Sequence, residues 1–181
     1  MKRNMLVFGT IAGVIVAAFM GTSMAIMGCS SDSMDGGTGA MILGFTSMVV
    51  ALSFVFVGIK NFRDKQNGGT VTFGQGLYLG FMISLIASTI YVATWAVEFH
   101  FFMPDFMDKY SAMQLKQLQE SGMSGEELAG KVKEIETTNY DYKHNPLVFA
   151  IYTYMEILPV GVIITLISSL ILKRKNTQPE L

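Results

Sequence analysis

The chain has 181 residues, of which 51% are hydrophobic and 15% charged, with a formal charge of −1 at pH 7. Soluble chains average roughly 25% charged residues, so the shortfall points to lipid. The net charge hides an uneven distribution and says nothing about nucleic acid; the lack of a basic face interleaved with aromatics is what argues against that partner.

An apolar run of about 18 residues or more can cross a hydrocarbon layer of ~30 Å as a helix. Four runs qualify: 5–27, 39–59 and 73–97 carry no charge, and 147–172 carries Glu156 alone. In lipid the backbone must satisfy its own N–H and C=O groups, which dictates helix. The chain is therefore predicted to be an all-α membrane protein: one integral domain over 1–181 with four transmembrane helices and an extracytoplasmic helical hairpin between the third and fourth.

In the first run Gly9, Gly13, Ala17, Gly21 and Ala25 recur every fourth residue and form a small-residue ridge that lets a second helix approach closely. Ile26-Met27-Gly28-Cys29-Ser30 also looks like the lipobox of a bacterial lipoprotein, with Cys29 as the acylated residue. A signal-peptide core is normally about 7 to 15 residues, shorter than this run, so the helix is expected to be retained. Cys29 is the lone cysteine and has no internal disulfide partner. The second run spaces Gly44, Ala51 and Gly58 seven apart.

The connection KNFRDKQNGGTVTFGQG contains Asn67-Gly68, a tight-turn dipeptide, then Val71-Thr72-Phe73, a short extended stretch. Gly69 and Gly74 have GxxxxG spacing, but Gln75-Gly76 stands where a phosphate loop needs Lys then Ser or Thr, so the segment reads as a turn back into the membrane. Gly76 and Gly80 form a GxxxG at the start of the third helix. At its outer end Trp95, Phe99, Phe101 and Phe102 suit an aromatic belt at headgroup depth.

The segment 104–140 reads as two short helices. Pro104, Asp105 and Asp108 suit a helix start, and Phe106, Tyr110, Met113 and Leu118 approximate an apolar stripe that Gly122 ends. Ser124 with Glu127 is a capping-box pattern, and Leu128, Val132 and Ile135 line one face of the next helix. The eight cations at Lys2, Arg3, Lys60, Arg63, Lys65, Lys173, Arg174 and Lys175 all fall on one side of this threading. Acids outnumber bases on the other, in the Asp32/Asp35 loop and from Glu98 to Asn145, so both termini are expected in the cytoplasm.

Four stretches, GIKNFRDKQNGGTVTFGQG, LIASTIYVATW, PDFMDKYSAM and YMEILPVGVIITLISSLILKRK, together resemble the bacterial membrane proteins of domain-of-unknown-function family 4199, over nearly the whole chain. The resemblance implies a multi-helix protein of the bacterial inner membrane in which Glu156 and Pro159 belong to the recurring pattern. It implies no reaction, ligand or partner.

Glu156 is the sharpest chemical feature, because a charged carboxylate near the bilayer centre costs on the order of 2.5 to 3.5 kcal/mol even on the mild insertion scale. A protonated carboxyl avoids that cost and can donate a hydrogen bond inside the bundle, with Thr46, Ser47, Ser88 and Tyr91 as partners by depth. Pro159 removes the helical bond to the Met155 carbonyl, adding a second reason for polarity there. Two readings follow for Glu156: a structural strut, or a proton or cation site beside a proline-weakened helix.

A fainter set is Glu98, His100, Asp141 and His144 at the outer rim, where imidazole and carboxylate suit Zn²⁺, although the spacing lacks a tight ligand motif. Two rim histidines leave a Ser-His-Asp set little to draw on. The fourteen methionines read as packing rather than a copper cluster. The expectation is a non-enzymatic scaffold or accessory protein without cofactor. Its partners are the lipid bilayer and a possible protein at the outer hairpin, with oligomerisation open. The alternative is a small transporter or channel subunit using Glu156.

Overall fold

The computed structural model describes residues 1–27 and 38–174; the Cys29 lipobox, the Asp32/Asp35 loop and Lys175 lie outside them. The described elements are helical: α1 Lys2–Met27, α2 Thr38–Leu52, α3 Phe54–Gln66, α4 Phe73–Val97, α5 Phe106–Glu120, α6 Gly125–His144 and α7 Pro146–Leu172, with a π-helical turn, Glu98–Phe102, extending α4. Four segments are long and apolar enough to cross a membrane: Lys2–Ser23, Gly44–Gln66, Phe73–Phe102 and Pro146–Leu172.

The second span runs seven residues beyond the apolar run that predicts it. Lys60, Arg63 and Lys65 stay helical to Gln66, because Arg and Lys stems carry their charges to the membrane rim. Between α2 and α3 the ladder tightens at Ser53, whose N–H bonds both Val49 O (2.9 Å) and Val50 O (3.3 Å). Its hydroxyl donates to Val50 O at 2.6 Å, the local back-bonding that bends helices.

The turn into α4 has Gly68 and Gly69 at φ 60° and 79°, as the Asn-Gly signal requires, and Asn67 Nδ2 donates to Thr70 O at 2.7 Å. Thr72 and Gln75 then form a reciprocal capping box: Gln75 N donates to Thr72 Oγ1 at 3.2 Å and Thr72 N to Gln75 Oε1 at 3.0 Å. Gln75 therefore starts a helix. Val71 pairs with Arg174 through two backbone bonds of 3.2 and 2.9 Å, tying this turn to the end of α7.

The chain divides into two compact units, Met1–Thr94 with Tyr154–Leu181, and Trp95–Thr153. In the first unit, helices meet at glycines. A Cβ at Gly9 would sit 2.7 Å from Ile86 Cβ, and one at Gly13 2.5 Å from Ile90 Cδ1, so α1 lies directly on α4. A Cβ at Gly80 would sit 2.6 Å from Thr165 Cγ2 and one at Gly76 3.0 Å from Ser169 Oγ, so α7 also lies directly on α4. Along the expected ridge on α1, Ala17 is half-buried and a Cβ at Gly21 would meet nothing within 4 Å among the described residues. Around these contacts Leu52, Val55, Ile59, Leu79, Ile83 and Ile157 are fully buried.

The second unit packs rings. Phe99 lies within 6.2 Å, centroid to centroid, of Trp95, Phe106, Tyr142 and Phe149, and Phe99, Met107 and Phe149 form its buried core. This corrects the expected belt: Phe101 and Phe102 are exposed, but Phe99 is buried and Trp95 donates to Tyr142 Oη at 2.8 Å. The helices α5 and α6 form an antiparallel pair. Asn139, absent from the predicted stripe, is buried between them and donates to Ser111 Oγ (2.7 Å) and Gln114 Oε1 (3.0 Å). Ser124 has the extended N-cap backbone of a capping box but makes no side-chain cap bond.

Candidate functional site

The helix α7 carries Glu156 ten residues from its start, about 15 Å along at 1.5 Å per residue, close to the middle of a span. The helix continues through Pro159 without a break. Thr153, Gly161, Thr165, Ser168 and Ser169 recur on one side of the helix and are buried, which leaves Glu156 on the other. Tyr152, Glu156, Pro159 and Ile163 follow one another at helical spacing there and all are exposed.

Glu156 is thus exposed as a residue on the outward side of α7, while its carboxylate turns back toward α4. Tyr91, 6% exposed, reaches out from α4 and donates from Oη to Glu156 Oε2 at 3.3 Å, long for a bond between oxygens. The other expected partners are elsewhere. Ser88 is fully buried and its hydroxyl has no hydrogen-bond partner among the described residues. Ser47 donates to Gly44 O at 2.6 Å, and Thr46 is exposed. Two residues before Glu156, Tyr154 donates to Thr89 Oγ1 at 2.9 Å. Two turns before Tyr91 on α4, Ser84 donates to Gly161 O at 3.3 Å and lies 3.3 Å from Thr165 Oγ1. Glu156 therefore meets α4 through Tyr91 and is exposed on its other side.

The rim set is not brought together as metal ligands: among the described residues no three His, Cys, Asp or Glu groups are placed to hold an ion. His100 Nδ1 is 2.9 Å from Ala96 O. His144 Nδ1 is 2.8 Å from Tyr140 O, and its ring stacks on Tyr140 at 4.2 Å. Glu98 is 8% exposed in the π turn; its carbonyl accepts from Met103 N at 3.0 Å, and its carboxylate has no hydrogen bond or ion pair among the described residues. The hydroxyls and rings of that unit serve each other instead, through Trp95, Tyr142 and Thr153.

A polar site that sequence reasoning missed lies at the opposite end of the first unit, between α1 and α3. Asn4, 4% exposed, donates from Nδ2 to Gly58 O at 3.1 Å and accepts from Gln66 Nε2 at 2.5 Å. The signal for it was an asparagine followed directly by an apolar run.

The described residues are helical, and four membrane-length apolar segments are compatible with a multi-pass membrane protein. Residues 7–174 match the model of a family described as protein of unknown function, DUF4199, and the chain belongs to that family. No curated protein and no solved structure matches it.

Proposed function

We propose that this is a non-catalytic scaffold or accessory protein of the bacterial inner membrane, with both termini cytoplasmic and α5–α6 outside, and that it acts by associating with another membrane protein. The observation that carries the reading is the outward Glu156. A carboxyl at mid-depth on a lipid-facing surface is costly, and a partner helix bearing a hydrogen-bond donor offsets that cost. The flanking Tyr152 and Ile163 supply apolar contact area on the same face, and Tyr140 and Tyr110 supply exposed rings on the outer pair.

A photoreactive residue at Ile163 in native membranes tests this. The expectation is one discrete crosslinked species that disappears in Glu156→Leu and survives in Glu156→Gln, which keeps a hydrogen-bonding amide. Crosslinking only to lipid in all three proteins contradicts it. The second reading, a small transporter, is favoured by the Tyr91–Glu156 bond beside Pro159. Proton flux in liposomes that falls in Glu156→Gln supports that reading, and equal flux removes it.

A further inference from the structure

We propose that the cleft between α1 and the end of α3 is a binding site for an anionic phospholipid, with its phosphate held by Arg3 and Lys65. The cleft, about 320 Å³, is lined by Arg3, Asn4, Val7, Phe8, Asn61, Lys65 and Gln66. The ion pairs among the described residues are Arg63–Asp64, Lys131–Glu134 and Lys143–Asp108. Among the described residues, the two cations of the cleft thus face one pocket with no acid paired to either.

Like charges in one cleft repel, and an anion between them reverses the sign of the interaction. The floor is already built: Asn4 is clamped between Gly58 O and Gln66 Nε2, and the Met1 ammonium bonds Gln66 Oε1 at 3.1 Å. Ordering this end of α1 is therefore complete before a ligand arrives.

The polarity gradient selects a lipid over a free anion. Val7 lies one turn into the membrane from Arg3, a descent of about 5 Å, and is exposed at 46%. Exposed Ile11 and Val14 continue along α1. Cations at the rim, amides beneath and an apolar wall below match the order of phosphate, ester and acyl chain in a phospholipid. A zwitterionic headgroup would bring its own cation against Arg3 and Lys65, so a net anionic lipid fits best.

The test uses the full-length protein and native mass spectrometry in a mild detergent, with phosphatidylglycerol or phosphatidylcholine added at equal concentration. One phosphatidylglycerol should be retained in preference to phosphatidylcholine. Losing both cations in Arg3→Gln/Lys65→Gln should reduce its occupancy about thirty-fold, taking about 1 kcal/mol per cation near a headgroup. The equal charge loss in Lys173→Gln/Arg174→Gln should leave it within about twofold. The charge-preserving Arg3→Lys/Lys65→Arg guards against misinsertion and should retain the lipid. Equal retention of the two lipids, or equal loss in both glutamine variants, overturns the proposal. So does full displacement by inorganic phosphate at the same concentration, which would identify a free-anion site.

Discussion

The two units are packed by opposite chemistry. From Met1 to Thr94, with the second part of α7, helices approach through missing side chains, with Ile86, Ile90 and Thr165 pressed against Gly9, Gly13 and Gly80. From Trp95 to Thr153 the same chain fills space with rings around Phe99 and ties them with Trp95–Tyr142 and Asn139 hydrogen bonds. The contrast follows from solvent. Lipid gives apolar helices no hydrophobic reason to associate, so close backbone contact must hold them. Rings and amides are the cohesion of a unit that also meets water, where burying aromatic area is favourable.

The sole tryptophan of the chain, Trp95, lies in the ring-packed unit and reports on it alone, which allows the contrast to be broken at either end. Phe99→Ala has the largest expected effect, a loss of about 3–5 kcal/mol for a buried Phe, read as a red shift of Trp95 emission at a lowered unfolding temperature. Gly80→Leu should cost about 1–3 kcal/mol by overpacking α4 against Thr165 and Ile59. Faster hydrogen exchange in α4 and α7, with native Trp95 emission at room temperature, is the expected signature. An immediate emission change there would mean that the units do not pack independently. Tyr142→Phe removes the acceptor of Trp95 and should cost about 1 kcal/mol in denaturant titrations followed at Trp95. Lys143→Ala, which breaks a 3.1 Å pair to the exposed Asp108, should cost at most about 0.5 kcal/mol, within error by the same measure.

How much of this was legible depended on which signal carried it. Run length located all four spans, because hydrocarbon thickness sets that length. It ended the second one at Ile59, since hydropathy stops at the first lysine although the helix does not. Glycine spacing identified the contacts at Gly9, Gly13, Gly76 and Gly80. It could not identify Gly21 as uncovered among the described residues, because coverage depends on where a second helix ends. The Thr72–Gln75 capping box was readable and was overshadowed by the glycines around it. The facing of Glu156 was readable but not used: Thr153, Gly161, Thr165, Ser168 and Ser169 recur at helical spacing and form the buried side of α7, which leaves Glu156 on the other. The π turn at Glu98 buries a carboxylate that a regular helical wheel would place elsewhere, and nothing in Glu-Phe-His-Phe-Phe announces it.

The threading is tested most directly by labelling with a membrane-impermeant maleimide in intact cells, using single cysteines at Asn67 and at Ser121 in a Cys29→Ser background. Labelling of the Ser121 position from outside, with the Asn67 position reached only after the membrane is opened, is the predicted result. Equal labelling of both positions in intact cells would contradict the four-crossing arrangement, and with it the depth assigned to Glu156.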